Sequence, residues 1–374
     1  MLFADDAIKV GECLFLFANN LNMLFSVNLS DGKLTFLGSI PEEHLLSKGL
    51  TCKLIYLKNN IIVVPLLAKK IWIYSIESGN WRYIEIEKCK MYGRGTYFRQ
   101  VIQHKDSLFF IGGHYPAILK MDLPSCELTY LKKPFHNYGK SEESGELYFR
   151  GDYVCNGDML YLASGRDNKV LIFNLNTQSY KWIEIGKEKN RYSGIMWDGN
   201  NYWLAPRKNT PIVKWDGNDN VTEYEIPKEK RVNNIAYAGI IKRDNQIIIP
   251  ALTKSGADTI ILTSNGIMKF DRKEYFFYKK TECGDYLAQD SDGHILFISS
   301  KGIKKQYDYD LSDNNLSALL DISDININSI TGMVNTENNP FSLNSFLQLT
   351  VKVNISSVNN KKNTGLEIWE NIKL

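Results

Sequence analysis

A chain that repeats itself about every 47 residues has few ways to fold, because each repeat must be one supersecondary unit that buries its apolar face against its neighbours. This sequence repeats in that way. One aligned position in each short apolar run gives Leu16 in "LFLF", Val63 in "IIVV", Phe110 in "LFFI", Tyr161 in "MLYL", Trp203 in "NYWL", Ile248 in "IIIP" and Phe297 in "ILFI", at intervals of 47, 47, 51, 42, 45 and 49. A second column follows eleven or twelve residues later, at Val27, Tyr74, Met121, Phe173 and Trp215. Each member precedes a turn-forming residue: Asn28, Ser75, Asp122, Asn174 and Asp216. Phe36, Tyr83, Tyr130, Trp182, Tyr224 and Phe270 make a third column. The first five of these keep step with the first column through its insertions and deletions. Chance does not align three columns.

Within each unit the signals are those of strands. "NWRYIEI" and "YKWIEI" alternate large apolar with polar residues, the period of a strand covered on one face. "SDGK", "ESGN" and "NTQS" are turn tetrads, and "KNN", "NGD", "DGNN" and "SDG" occupy the turn before the first-column strand. About four strands in roughly 45 residues is the size of a β-propeller blade.

"LFFIGGHYPAILKMDLPSCELTYL" (108 to 131) and "LYLASGRDNKVLIFNLNTQSYKWIEI" (160 to 185) run from an apolar stretch through small residues and a loop to a strand ending in Asp or Asn, then a Tyr or Trp. These segments resemble kelch-type blades, with Gly112-Gly113 standing where that family has its double glycine. The resemblance implies an all-β fold, a seven-bladed β-propeller of four-stranded blades over residues 1 to 322. The last 50 residues break the pattern, so residues 323 to 374 are expected to be a C-terminal appendage packing on the propeller and helping to close the ring. Closure matters because an open ring leaves unpaired edges.

Bulk properties narrow the function classes. Of 374 residues, 44% are hydrophobic, and the 21 Tyr and 17 Phe favour half-buried strands. A net charge of +3 does not support binding nucleic acid over the whole surface. No apolar run approaches the roughly 20 residues of a membrane span, and the N-terminus lacks the basic region of a signal peptide. The six cysteines include no C-x-x-C pair and read as buried thiols in a reducing compartment, so the cytoplasm is the expected location. The five histidines lack H-x-H or H-E-x-x-H spacing, and "DSDG" at Asp290 reads as a turn rather than a calcium loop. No phosphate-binding P-loop, dinucleotide fingerprint or G-x-S-x-G occurs. Neither cofactor nor metal is expected.

In a propeller the loops that gather on one face are where function concentrates. Here they are "LLAKK", "GGHYP", "SGRDNK", "PRKNT", "TKSGAD" and "SKG", and nearly all bring a cation or His: His114, Arg166, Arg207 and Lys208 among them. Eleven residues before each first-column position from Val63 onward, at the expected start of the inner strand, stand Cys52, Arg99, Arg150, Tyr192, Tyr237 and Tyr286, with Arg94 close by in sequence. Arginine forks bind carboxylate or phosphate bidentately, and tyrosines offer an apolar face with a polar tip. Together they fit an anionic small molecule, glycan or peptide, or a partner protein, at the mouth of the central channel. The alternative within the same fold packs the tyrosines between blades and pairs the arginines with Glu146, Asp152 or Asp285. Three classes of function remain open: a binding module, an enzyme (lyase, hydrolase or isomerase) using Arg99, Arg150, His114 and Tyr192, and a scaffold. The enzyme requires an acid–base pair in hydrogen-bond contact, whereas binding requires only donors.

Overall fold

The chain's structure, a computed structural model, describes residues 3–19, 21–44, 47–89, 95–136, 146–237, 239–263, 266–280, 286–299 and 302–307. Their strands form seven sheets, each built on four antiparallel strands from one continuous stretch of chain: 4 to 38, 51 to 85, 98 to 131, 154 to 184, 192 to 224, 241 to 271 and 274 to 307, the last joined by a fifth, parallel strand, Ala251–Leu252, from blade six. Inner strands of successive blades touch one another, Ala4–Val10 against Thr51–Leu57 and Tyr192–Trp197 against Ile241–Arg243. The contact of Ala4–Val10 with Glu274–Lys280 returns the ring to its start. This is a seven-bladed β-propeller. Among the described residues no helix is long and apolar enough to cross a membrane.

Turn chemistry sets the blades. The polar residue after each second-column position folds its side chain onto the turn between third and outer strands. Asn28 Oδ1 accepts from the Ser30 amide at 2.9 Å, Asp122 Oδ1 from Ser125 at 3.0 Å, Asn174 Oδ1 from Asn176 at 2.9 Å and Asp216 Oδ1 from Asn218 at 2.8 Å. A short side-chain acceptor that mimics a backbone turn is what Asn and Asp supply at such sites. Between inner and second strands the turns need positive φ, met by Lys58 and Asn59 at 46° and 63° and by Gly157 at 58°.

Apolar residues on the two faces of each sheet pack into seven clusters, one per blade interface. The third-column aromatics ride on the outer strands and extend several of these cores, as where Trp182 stacks on Phe149 of the same blade at 5.9 Å and 6°. Trp203 is buried between blades five and six, stacked on Tyr224 at 5.6 Å, with its indole N–H donating to Asp198 at 2.6 Å. Blades seven and one close by packing: Leu287, Ile295 and Tyr307 join the core of blade one, and the Tyr307 hydroxyl donates to Leu29 O at 2.9 Å. Residues 308 to 374, with the expected appendage at 323 to 374, lie outside the described residues.

Six of the seven first-column residues sit on second strands, and Phe297 does not. In blade seven the second strand is Tyr286–Asp290, and Phe297 belongs to the third, Ile295–Ser299. "SKG" (300 to 302), of which 300 and 301 lie outside the described residues, therefore does not join the second strand of blade seven to its third. Residues 291 to 294, from "DSDGH", take its place on the face that carries "GGHYP" and "PRKNT".

Candidate functional site

The site grows from an irregularity shared by the inner strands. In five blades the pairing of inner with second strand skips one residue near the strand's start: Asp5, Cys52, Arg99, Ser193 and Phe276. Such a bulge re-aims a side chain out of the pleat. The residue just before the bulge (Ala4, Phe98 or Tyr192) is buried in a blade interface. The bulge residues face elsewhere. The Arg99 charge bears on Asp5 of blade one, Cys52 of blade two, Arg150 of blade four and Arg207 of blade five. Charges on non-adjacent blades act on one another most strongly near the axis, which puts these groups toward the mouth of the channel.

The mouth is short of negative charge. Arg207 is buried, donates to Gly165 O at 2.5 Å and pairs with Glu146. Arg99 and Arg150 have no salt-bridge partner among the described residues, and Arg99 Nε is buried without a hydrogen-bond acceptor. Burial, then the Arg99 and Arg207 charges, push Arg150 down to about 9, against a smaller pull from Glu146. Arg150 stays charged at neutral pH, and the lowered value measures how poorly its charge is compensated. Burial drives Asp5 up to about 7 although the Asn19 side chain, the Thr51 backbone and Arg99 all favour its ionised form. The Cys52 thiol is pushed up to about 12 by burial and is neutral.

Further along the inner strands lie two carboxylates that do have partners. Asp6 binds Lys279 at 2.6 Å and accepts from the Leu54 amide at 2.8 Å, while Asp152 accepts from the Ile240 amide at 2.8 Å. Asp152, from blade four, reaches across to blades five and six, which explains two glycines. A Cβ on Gly194 would stand 2.8 Å from Asp152 N, and one on Gly239 would overlap Asp152 Oδ2. The mouth is thus a cup walled by bulge residues, with the Asp6–Lys279 salt bridge further along the inner strands.

Of the residues singled out by spacing, Arg99, Arg150 and Arg207 come together, and Arg166, whose charge reaches Arg207, borders them. The Arg166 guanidinium lies 3.6 Å over the Tyr148 ring, and its Nε donates to Glu146 O at 2.7 Å. Lys208 is exposed on the loop beside Arg207. Arg94 lies outside the described residues.

The tyrosines must be corrected. Tyr192 and Tyr237 are fully buried in the cores between blades four and five and between five and six. The Tyr192 hydroxyl is committed to Ile185 O. Tyr286 opens a second strand, not an inner one, and its hydroxyl donates to Lys242 O. None lines the cup. His114 is buried, with Nδ1 2.6 Å from the Thr96 hydroxyl oxygen and accepting from the Thr96 amide at 3.3 Å, so it is packed against Thr96 rather than solvated on the loop.

Asp5 stands eleven residues before Leu16, the first-column position from which the count was not taken. Spacing missed Ser193 and Phe276, whose only signal is that they occupy the bulge. On the same face Asp290, Asp292 and His294 hold their ligand atoms within 4.8 Å of one another, a set able to hold a cation, although His294 Nδ1 is already bonded to Asp290 Oδ2 at 2.9 Å.

No protein-family model and no curated protein matches the sequence. Solved structures do. A streptogramin B lyase superposes with a TM-score of 0.53 at 14% identity, over 81% of this chain and 91% of that one. A catalytically inactive virginiamycin B lyase from Staphylococcus aureus, solved with quinupristin, gives 0.56 at 14% identity over 77% and 92%. BamB from Moraxella catarrhalis gives 0.52 at 13% identity over 81% and 84%. At such identities the likeness is one of fold, and it agrees with the seven blades counted above.

Proposed function

We propose that this protein is a ligand- or partner-binding propeller, built of kelch-like blades, that recognises an anionic group at the mouth of its channel. The observation that carries the reading is the pairing of Arg99 with Arg150: two guanidiniums within electrostatic reach, with no carboxylate in salt-bridge contact among the described residues. Burying like charges together is unfavourable unless an anion compensates them. A carboxylate or phosphate on both forks does so. Arg166, Arg207 and Lys208 extend the positive rim, suiting an anionic small molecule, an acidic glycan or an acidic peptide. The free thiols of Cys13, Cys52, Cys89, Cys126 and Cys155 support a cytoplasmic placement.

Asp5 favours a second reading, catalysis on an anionic substrate at the same mouth. Its carboxyl titrates near neutral beside Arg99 and is therefore able both to take and to give a proton. Two of the structurally similar proteins are lyases.

Thermal melts of the protein with a sugar acid, citrate or a glutamate-rich peptide test the binding reading, because a ligand of the folded state raises the melting temperature with its concentration. At least one of these anions is expected to stabilise the native protein, and none the double variant Arg99→Gln with Arg150→Gln. Equal stabilisation of both proteins, or of neither, refutes the proposal.

A further inference from the structure

The bulge that presents Arg99 presents different chemistry in other blades, at one height of the channel wall. Asp5 Oδ1 is held by the Asn19 side chain, but Asp5 Oδ2 is buried with no hydrogen-bond partner. Ser193 is fully buried and its Oγ likewise has none. Arg99 Nε makes a third such atom. In blade seven the same position holds Phe276, whose ring packs on Phe3 at 4.5 Å and is half-buried. Most buried polar atoms in folded proteins are paired, and leaving one unpaired costs about 1–3 kcal/mol. Three unpaired atoms of complementary type (an acceptor, a donor, and a hydroxyl that is both) at the equivalent bulge position of three blades call for a common partner.

What would satisfy them is a group that donates to Asp5 and also accepts from Arg99 or Ser193. An ammonium donates but cannot accept, and it would sit among the Arg99, Arg150 and Arg207 charges. A hydroxyl does both and brings no charge. Phe276 adds an apolar face, suited to the C–H side of a saturated ring. We propose that the cup takes a hydroxylated ring carboxylate, a sugar acid, with its carboxylate on Arg99 and Arg150, its hydroxyls bridging Asp5 and Ser193, and its apolar face on Phe276. This rests on the anion-binding reading above and narrows it to one chemical class.

Calorimetric titration with galacturonate and with cyclohexanecarboxylate separates the two claims, since both are ring carboxylates and only the first carries hydroxyls. Galacturonate is expected to bind about tenfold tighter or more, the worth of one hydrogen bond to a charged group. In Asp5→Asn the preference should fall several-fold, and in the smaller change Ser193→Ala it should also fall, while in neither does cyclohexanecarboxylate bind more weakly. A galacturonate trimer identifies the source: tighter binding than the monomer assigns the site to the end of an acidic glycan, and equal or weaker binding to a free sugar acid. Equal affinity for the two monocarboxylates, or a preference unchanged in both variants, overturns this inference and leaves the anion site standing. Binding of neither overturns both.

Discussion

Replacing Asp5 by Asn should make the protein more stable at neutral pH, although it removes a group from the binding cup. Asp5 binds its proton more tightly in the folded protein, at about 7, than in the unfolded chain, near 3.8. Between those values the folded state holds more protons than the unfolded, so this carboxyl lowers stability progressively as pH rises, and its full penalty is present above about pH 7. Some three pH units correspond to a ceiling of about 4 kcal/mol. Reorganisation of the polar groups around the buried charge offsets part of this, so a gain of about 1–3 kcal/mol is expected from the amide. Asparagine retains the oxygen that accepts from Asn19. Across a propeller of this size the gain corresponds to about 2–5 °C in melting temperature. Circular-dichroism melts of both proteins at about pH 8 and about pH 4 measure it, with the difference expected only at the higher pH. A variant no more stable at the higher pH, or stabilised equally at both, refutes the assignment of Asp5 as a strained acid.

Two further substitutions probe the scaffold. Trp203→Ala removes an indole buried between blades five and six and should cost about 3–5 kcal/mol in urea unfolding, whereas a change within a few tenths of a kcal/mol would show that this interface has another basis. Gly239→Ala sets a Cβ 3.0 Å from Asp152 Cγ and into its carboxylate, for a loss of about 1–3 kcal/mol. Asp152→Gly makes room for that methyl, so the double variant should lose clearly less than the sum of the singles, and strict additivity would mean that Asp152 does not reach Gly239.

The blades were legible because each strand carries its own signal: apolar runs for the second strands, an apolar residue before Asn, Ser or Asp for the third, an aromatic for the outer. Blade seven slipped by one strand because "SDG" before "HILFI" looks like the turn that precedes a second strand, while here it joins the second strand to the third. The site was less legible, since strand faces alternate with period two and a one-residue error moves a position to a different surface. Trp203 and Ile248 stand one residue before Leu204 and Ile249, which align with Val63 and Phe110. Counting back eleven therefore reached Tyr192 and Tyr237 in the blade cores, where the bulge of blade five is Ser193. In blades two and three the same count reached Cys52 and Arg99, which are bulge residues. A bulge is one extra residue in a pairing, and nothing in the local composition marks it.

The central claim is that Arg99 and Arg150 hold an anion at the channel mouth. A crystal structure of the protein grown with galacturonate tests it most directly. The account predicts a carboxylate bonded to both guanidiniums. A ligand bound elsewhere, or an empty mouth in which the two guanidiniums turn apart into separate protein carboxylates, would contradict it.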